Sequence, residues 1–366
     1  MRVVIAPDSF KGSISAAGAA AALAAGWRRI RPGDDLVELP LADGGEGTLA
    51  VLAAAVPASR WHEALVSGPV DAQVMAAWLE MPGNVAVIEL ATAAGLTQLA
   101  ELQPLAAHSF GVGELIGHAL DAGMRRVLVA LGGSACTDGG TGALAALGAR
   151  FLAADGLPLA RGGGPLRQLA AVDLDGLRQP PPGGVSCLTD VRAPLLGPAG
   201  AAAVFGPQKG AGPADIIALE EGLARLAALL GGDPAEPGAG AAGGCGYGLA
   251  AAWDATLLPG AAELAAIAGL PEAVAGADLV ITGEGRYDAT SLHGKVVGAV
   301  CSMAVSTMTG MPVVIVTGQL ALAPPPGTRA VELASLAGGT GAAVRDAAHW
   351  LAAAGAELAS AGSERA

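Results

Sequence analysis

The chain has 366 residues, more than one hydrophobic core usually serves, so its length favours two domains. Its formal net charge of -13 argues against binding to nucleic acid or to an anionic membrane surface. Only 3% of the residues are aromatic, and no stretch offers the roughly 20 bulky apolar residues that a membrane span needs. We therefore expect a cytoplasmic protein with cores of small aliphatic residues.

Five strand-like runs are each followed by a Gly- or Asp-rich turn and then an Ala- and Leu-rich helical stretch. This alternation predicts a parallel sheet covered by helices. The runs are Val3-Ile5, Val37-Leu41, Val127-Leu131, Leu279-Thr282 and Val313-Thr317. Ligands bind beyond the carboxyl ends of the strands in such sheets, so the loops that follow these runs are the candidate site.

A second group of strand-like segments lacks this rhythm and predicts an inserted α/β (α+β) domain, with the active site in the cleft between the two domains. These segments are Ala64-Val66, Val74-Leu79, Val85-Glu89 and Val185-Leu188. We assign 1–58, 106–148 and 276–366 to the parallel-sheet domain, and 59–105 with 149–275 to the insert. The Pro- and Gly-rich stretch 231–244 predicts a mobile loop, a candidate lid or hinge.

The first strand ends in APDSFKGS, which places Asp8, Ser9 and Lys11 where the chain leaves the sheet for a helix. Free amides at a helix start and a nearby lysine can hold a phosphate or carboxylate, and Asp8 can ligate magnesium or accept a proton. The alternative is a helix cap beside a surface lysine.

The second strand ends in LADGGEGT, in which Gly44 and Gly45 let backbone amides approach an anion between Asp43 and Glu46. Magnesium usually takes one or two protein carboxylates together with phosphate oxygens, so the two acids suit it. A turn with solvated acids is the alternative.

The third strand ends in LGGSACTDGGTGA, where Gly132, Gly133, Ser134 and Asp138 precede another helix. Ordinary turns rarely need so much glycine, which favours close contact with a ligand. Ser134 follows a strand as a hydrolase nucleophile does, but its frame is GGSAC rather than G-x-S-x-G. We therefore expect its hydroxyl or amide to face a ligand.

The fourth loop, TGEGRYDATSLHGK, combines Gly283, Glu284 and Asp288 with Arg286 and Lys295. Acids for a metal and bases for phosphate are what phosphoryl transfer requires. A structural salt-bridge network would also explain these charges in one loop, but it explains four such loops less well.

The sequence motifs of the common nucleotide-binding scaffolds are either absent or lack the expected neighbouring strand. No G-x-x-x-x-G-K-[ST] occurs, because Gly294-Lys295 is followed by Val296, and the GAGAAG string at 238–243 has no strand before it. The four cysteines include no C-x-x-C pair, which argues against zinc and against disulfides. A kinase built on this sequence must use another scaffold.

Taken together, the motifs APDSFKGS, ADGGEGT, GGSACTDGG, DVRAPLLGPAGAAAVFGPQKGA, GAGAAGG and ITGEGRYD with HGK resemble the glycerate kinase family of the first bacterial type. Their order and spacing match from residue 1 to about 320. The resemblance implies transfer of the ATP γ-phosphate to D-glycerate with Mg²⁺, giving 2-phosphoglycerate, with 3-phosphoglycerate as the alternative. It also implies a flavodoxin-like domain that holds the second domain as an insert; we expect a monomer or homodimer.

Within this resemblance, Asp43 or Asp190 is the expected base for the glycerate hydroxyl. Glu284 and Asp288 are the expected magnesium ligands, and the expected phosphate- or carboxylate-neutralising cations are Lys11, Arg286 and Lys295. The sequence departs from the family pattern at Cys136, where Thr is usual, at Ala193, where Asn is usual, and at Val296-Val297, where Pro commonly occurs. A Ser134 hydrolase and a non-catalytic glycerate or nucleotide sensor remain the alternatives.

Overall fold

The computed structural model describes residues 1–292, 294–307 and 310–362. The strands are β1 (Arg2–Pro7), β2 (Asp35–Glu38), β3 (Arg60–Ser67), β4 (Gln73–Met81), β5 (Val85–Glu89), β6 (Arg126–Ala130), β7 (Arg150–Leu152), β8 (Ala171–Asp173), β9 (Val185–Leu188), β10 (Thr256–Leu258), β11 (Leu279–Tyr287), β12 (Val313–Leu320) and β13 (Arg329–Glu332).

The α-helices are α1 (Ala16–Ile30), α2 (Thr48–Ala55), α3 (Ala91–Ala94), α4 (Phe110–Asp121), α5 (Thr141–Ala146), α6 (Ala201–Phe205), α7 (Pro213–Leu230), α8 (Ala241–Trp253), α9 (Gly260–Ile267), α10 (Leu270–Ala275), α11 (Val296–Thr307), α12 (Leu333–Ala337), α13 (Thr340–Arg345) and α14 (Ala347–Gly362). Short 3₁₀ helices cover Leu96–Gln98, Gly164–Gln168 and Pro207–Lys209. No described helix is long and apolar enough to cross a bilayer.

The chain divides into two compact units. Unit 1 comprises Met1–Asp43, Ala50–Val56 and Pro259–Ala366, and unit 2 comprises Gly44–Leu49 and Pro57–Leu258. The chain thus passes from unit 1 into unit 2 twice, first after Asp43 and again after Val56.

Unit 1 is built on a five-stranded sheet in the order β13-β12-β11-β1-β2, and all four strand pairs are parallel. Numbered within the unit, the order is 2-1-3-4-5, one of the two common doubly wound orders. Side chains of β1 alternate between two cores: Val3 and Ile5 pack with α1 and α14, whereas Val4 and Ala6 pack with α9, α10 and α11. Burial on both faces explains why the β1 sequence is continuously apolar.

Unit 2 contains a mixed six-stranded sheet in the order β10-β9-β6-β5-β4-β3. The β3-β4 and β4-β5 pairs are antiparallel, whereas β5, β6, β9 and β10 run parallel. One hydrophobic core packs this sheet against helices that include α4, α5, α7 and α8. A separate two-stranded antiparallel pair joins β7 and β8.

The structure corrects the sequence-based domain boundaries in several places. Residues 44–49 were assigned to the parallel-sheet domain but belong to unit 2. Residues 106–148 were assigned to the parallel-sheet domain, but β6 pairs with β5 and β9 in unit 2. Residues 259–275 were assigned to the insert, but α9 and α10 pack in the unit 1 core. The strand-turn-helix rhythm identified β6 as parallel and could not identify which parallel neighbours it takes.

The prediction of a mobile loop at 231–244 is wrong for its second half. Residues 238–244 are buried, and Ala241 begins α8. Ala242, Gly243 and Gly244 all adopt left-handed backbone conformations, and a Cβ on Gly243 would lie 2.2 Å from the Cys136 carbonyl oxygen. The Gly139 N–H donates to the Gly243 carbonyl at 3.0 Å. The glycines therefore permit close packing on the 131–143 loop rather than mobility.

Candidate functional site

The carboxyl edge of the unit 1 sheet carries three neighbouring carboxylates. Asp8 follows β1, and its N–H donates to the Gly283 carbonyl in β11 at 2.8 Å. Burial, together with the charges of Asp43 and Glu284, raises the pKa of Asp8 to about 7 against opposing hydrogen bonds from Ser9. The parallel register, in which Pro7 pairs with Gly283, explains how residues 275 positions apart meet here.

The pKa of Asp8 leads to a stability prediction. The folded state binds the Asp8 proton more tightly than the unfolded state, so wild-type stability falls as the pH rises from about 4 to about 7. Asp8→Asn imitates the protonated form and should raise the unfolding free energy at pH 8 by on the order of 2 kcal/mol, with little gain at pH 4. Urea unfolding with EDTA at both pH values measures this. An equal gain at the two pH values would show that Asp8 titrates normally.

Glu284 is the most deeply buried of the three carboxylates. It is 5% exposed, and its Oε1 atom has no hydrogen-bond partner within the described ranges. Burial raises the pKa of Glu284, whereas Ser291 and Lys295 lower it; Lys295 Nζ lies 3.7 Å from Oε2. A buried acceptor without a partner is costly, so the position of this oxygen would suit a bound cation.

Asp288 was predicted to bind the metal, but its carboxylate oxygens contact neighbouring protein groups. Its Oδ1 accepts hydrogen bonds from the N–H and hydroxyl of Thr290 at 2.9 and 2.7 Å, and its Oδ2 lies 3.5 Å from Arg286 Nε. These partners hold the pKa of Asp288 below its usual range. Both oxygens therefore serve the turn that follows β11. Where the structure describes the chain, no group of three or more His, Cys, Asp or Glu side chains could hold a metal ion.

The cations of unit 1 remain accessible. Arg286 is 61% exposed and donates from Nη1 to Gln319 Oε1 at 3.1 Å, its register partner in β12. Lys11 is exposed and Lys295 is partly exposed. His293, which belongs to the HGK motif, lies outside the described residues. Exposed cations beside buried carboxylates leave positive charge available for an anionic ligand.

Three strand-end loops meet in unit 2. The Gly132 N–H donates to the Gly44 carbonyl at 3.0 Å, and a Cβ on Gly132 would lie 2.4 Å from Gly45 Cα. A Cβ on Gly44 would lie 3.2 Å from the carbonyl oxygen of Leu188, the last residue of β9 and two residues before Asp190. The loops containing Gly44, Gly132 and Asp190 therefore lie together. The sequence-based assignment had placed the first two on the parallel-sheet domain and Asp190 in the insert, whereas β6 and β9 pair in one sheet of unit 2.

Asp138 supports its loop instead of facing a ligand as expected. It is fully buried, and Oδ2 accepts from the Ser109 N–H, the Ser109 hydroxyl and the Gly142 N–H at 2.8, 2.9 and 3.1 Å. Oδ1 accepts from the Gly140 N–H at 3.2 Å. These bonds satisfy amides at the start of α5, so we assign Asp138 to the scaffold.

Glu89 is a site residue that the sequence reasoning missed. It ends β5, is buried, and accepts from the Gly47 and Leu49 amides at 3.1 Å each. Burial raises the pKa of Glu89, and these amide bonds oppose the change. Glu89 therefore occupies the first amides of α2, and an external anion at ADGGEG would have to meet Gly44 and Gly45 instead. A charged residue ending an apolar strand was the available signal.

We expect Glu89→Gln to lower the unfolding free energy by about 1 to 3 kcal/mol, because the new amide group would face a backbone N–H that now has an acceptor. The exposed Glu63→Gln in β3 is the matched control and should change stability by less than about 0.5 kcal/mol. Denaturant unfolding compares the two variants. Equal stability would mean that Glu89 does not hold the loop.

Comparison with known proteins agrees with these motifs. The model of the glycerate kinase family matches residues 3–362. The chain belongs to this family. The glycerate 2-kinase of Escherichia coli K12 is 42% identical over 316 residues, which covers 83% of this chain and 82% of that protein. The glycerate kinase of Bacillus subtilis 168 is 44% identical over 306 residues, covering 81% of this chain and 79% of the relative.

A solved crystal structure has a similar fold. It is that of a provisionally assigned glycerate kinase 2 from Salmonella typhimurium LT2, with a TM-score of 0.84 and 39% identity. The match covers 100% of this chain and 98% of that one.

The departures from the usual family residues have local structural settings. Cys136 is fully buried, burial raises its pKa to about 12, and its Sγ donates to the Ala242 carbonyl at 3.7 Å. The Ala193 carbonyl accepts from the Gly240 N–H at 2.9 Å. Val296 begins α11 and is buried, as is Val297, so both contribute to packing.

Proposed function

We propose that this protein transfers the γ-phosphate of ATP to a hydroxyl of D-glycerate with Mg²⁺, giving 2-phosphoglycerate. The observation that carries the proposal is the 42% identity, over most of both chains, to a protein named glycerate 2-kinase. The chemistry at the carboxyl edge of the unit 1 sheet supports it, because carboxylates and accessible cations occur there together. The strand order of unit 1 supports the flavodoxin-like description.

The residues at this edge fit a magnesium ion. Glu284 offers a buried oxygen that has no partner in the described chain, and Mg²⁺ commonly takes one or two protein carboxylates plus water and phosphate oxygens. Asp8, whose pKa the nearby Glu284 charge helps to raise, is the candidate second carboxylate, because the Asp288 oxygens are engaged in their turn. When bound, the ion would neutralise charge on the transferred phosphoryl group.

The protein's own groups would supply the remaining chemistry. Asp43 or Asp190 orients the glycerate hydroxyl and accepts its proton, and both alternatives stay open. Lys11, Arg286 and Lys295 neutralise phosphate or carboxylate charge. The strand-end loops also contain candidate substrate and phosphate contacts, which are Ser9, Gly44, Gly45, Glu46, Gly132 and Gly133. Phosphoryl transfer depends mainly on positioning and charge stabilisation, which these groups provide.

The hydrolase alternative lacks the sequence frame of a serine hydrolase, because Ser134 lies in GGSAC rather than G-x-S-x-G. The Ser134 hydroxyl accepts a hydrogen bond from Lys209 Nζ. The sensor alternative would bind ligand without turnover.

The test is an ADP-coupled assay with ATP, D-glycerate and Mg²⁺, followed by NMR of the product. We expect turnover that needs all three components and a product phosphorylated at the 2-hydroxyl. A 3-phosphoglycerate product would overturn the regiochemistry only. Ligand binding without ADP formation would favour the sensor, and EDTA-resistant labelling of Ser134 by a serine-directed probe would favour the hydrolase.

A further inference from the structure

A buried lysine lies beneath the glycine-rich loop of unit 2. Lys209 ends a 3₁₀ helix, is only 2% exposed, and donates from Nζ to Ser134 Oγ at 2.9 Å and to the Cys136 carbonyl. Burying an ammonium is costly unless the surroundings use or compensate its charge. Lys209 has no part in the proposed mechanism.

The charge of Lys209 is only partly compensated within the protein. Burial lowers its pKa, whereas Asp138 raises it; the Cys136 thiol, with a pKa of about 12, is neutral at pH 7. Among the described residues, no Asp or Glu carboxylate oxygen lies within 4.0 Å of Lys209 Nζ. The four acceptor contacts of Asp138 go to Ser109 and to loop amides instead. The loop therefore has an ammonium beneath it without a contacting counter-ion.

The lysine determines what the Ser134 hydroxyl can do. Lys209 Nζ donates to Ser134 Oγ, so the serine oxygen is the acceptor of this bond and the serine proton is directed to some other acceptor. Ser134 is 7% exposed and follows Gly133, which is exposed and has a φ of 73°. In the described chain the Gly133 N–H makes no hydrogen bond, while its carbonyl accepts from Leu96. Two donors thus adjoin each other where the loop reaches the surface.

We propose that the Ser134 hydroxyl and the Gly133 amide form an oxyanion-binding subsite, in which Lys209 is a positioning residue. Lys209 acts through Ser134: it fixes the hydroxyl as an outward donor and adds positive potential from below. The ligand is an anionic oxygen of a substrate, either a nucleotide phosphate or the glycerate carboxylate. The naming of these two substrate groups rests on the proposed function, whereas the subsite itself is defined by Ser134, Gly133 and Lys209.

Steady-state kinetics of Ser134→Ala, Ser134→Thr, Lys209→Met and the Ser134→Ala/Lys209→Met double variant test the subsite. We expect Ser134→Ala to raise one KM by about tenfold, the cost of about 1.4 kcal/mol for one donor to an anion, with a smaller change in kcat. Ser134→Thr, which keeps the hydroxyl, should recover most of this loss. A raised KM for ATP identifies the phosphate, and a raised KM for D-glycerate identifies the carboxylate.

The positioning role predicts non-additive effects. Lys209→Met should weaken binding of the same substrate, and adding it to Ser134→Ala should cause little further loss. Additive losses would overturn the claim that Lys209 acts through Ser134. Ser186→Ala in β9, which is also 7% exposed, is the matched control for burial and should leave both KM values unchanged.

A binding measurement keeps the subsite separable from the kinase assignment. Inorganic phosphate should raise the thermal unfolding midpoint of the wild type and of Ser134→Thr, with an apparent Kd about tenfold weaker for Ser134→Ala. This result without kinase turnover would refute the proposed function and keep the subsite. Turnover with equal phosphate affinity and equal KM values in Ser134→Ala would refute the subsite alone. If Lys209→Met does not fold, the two Ser134 variants still decide the matter.

Discussion

Arg286→Ala is expected to lower kcat for glycerate phosphorylation by on the order of 100-fold. The side chain is 61% exposed at the carboxyl end of β11, where its fork contacts Gln319 and approaches Asp288. A guanidinium in this position can neutralise charge that develops on the transferred phosphoryl group. Its protein contacts are solvent-exposed, so the unfolding free energy should change by less than about 1 kcal/mol.

Two further variants sharpen this experiment. Arg286→Lys keeps the charge but loses the planar fork, so we expect an intermediate loss of about tenfold. Arg329→Ala is the matched control, because Arg329 begins β13 at the opposite, amino edge of the same sheet and pairs with exposed Glu357. Full activity in Arg286→Ala would remove this residue from the mechanism. Equal losses in Arg286→Ala and Arg329→Ala would indicate a general effect on unit 1.

Glu284→Gln is expected to lower kcat by at least about 100-fold and to raise the Mg²⁺ concentration for half-maximal activity by about tenfold or more. The variant replaces a buried carboxylate, one oxygen of which has no partner in the described chain, by an uncharged group of nearly equal size. An amide oxygen is a weaker ligand for a hard divalent cation, so the metal dependence should change together with turnover.

The measurement is a Mg²⁺ titration of initial rates at saturating ATP and D-glycerate. Glu357→Gln on α14 is the control, since that exposed carboxylate pairs only with a surface arginine among the described contacts. An unaltered Mg²⁺ requirement in Glu284→Gln would move the metal to another carboxylate of unit 1, with Asp8 and Asp43 as the next candidates. Normal turnover would exclude Glu284 from the reaction altogether.

That the candidate loops follow strands was predictable from the sequence, because local patterning identifies the strand before each motif. The neighbours of those strands were not predictable in the same way. A parallel strand such as β6 has the same apolar run in either sheet, and only long-range pairing with β5 and β9 assigns it to unit 2.

Individual roles were harder to predict than loops. Asp138 and Asp288 have the composition of ligand-binding residues, yet their oxygens are used by nearby amides and hydroxyls. Glu89 and Lys209 are the opposite case, because neither lies in one of the glycine-rich strand-end motifs. Their importance depends on burial and on contacts with residues 40 to 75 positions away. Such contacts exist only after the chain has folded.

The discontinuity of unit 1 has a consequence for synthesis of the protein. Val3 in the interior strand β1 pairs with Leu279 in β11, so on the ribosome β1 cannot pair with β11 until all of unit 2 has been made. At roughly 5 to 20 residues per second, this delay is on the order of tens of seconds. Unit 2 therefore has the opportunity to fold first, while the edge of β1 that pairs with β11 stays unpaired during that time.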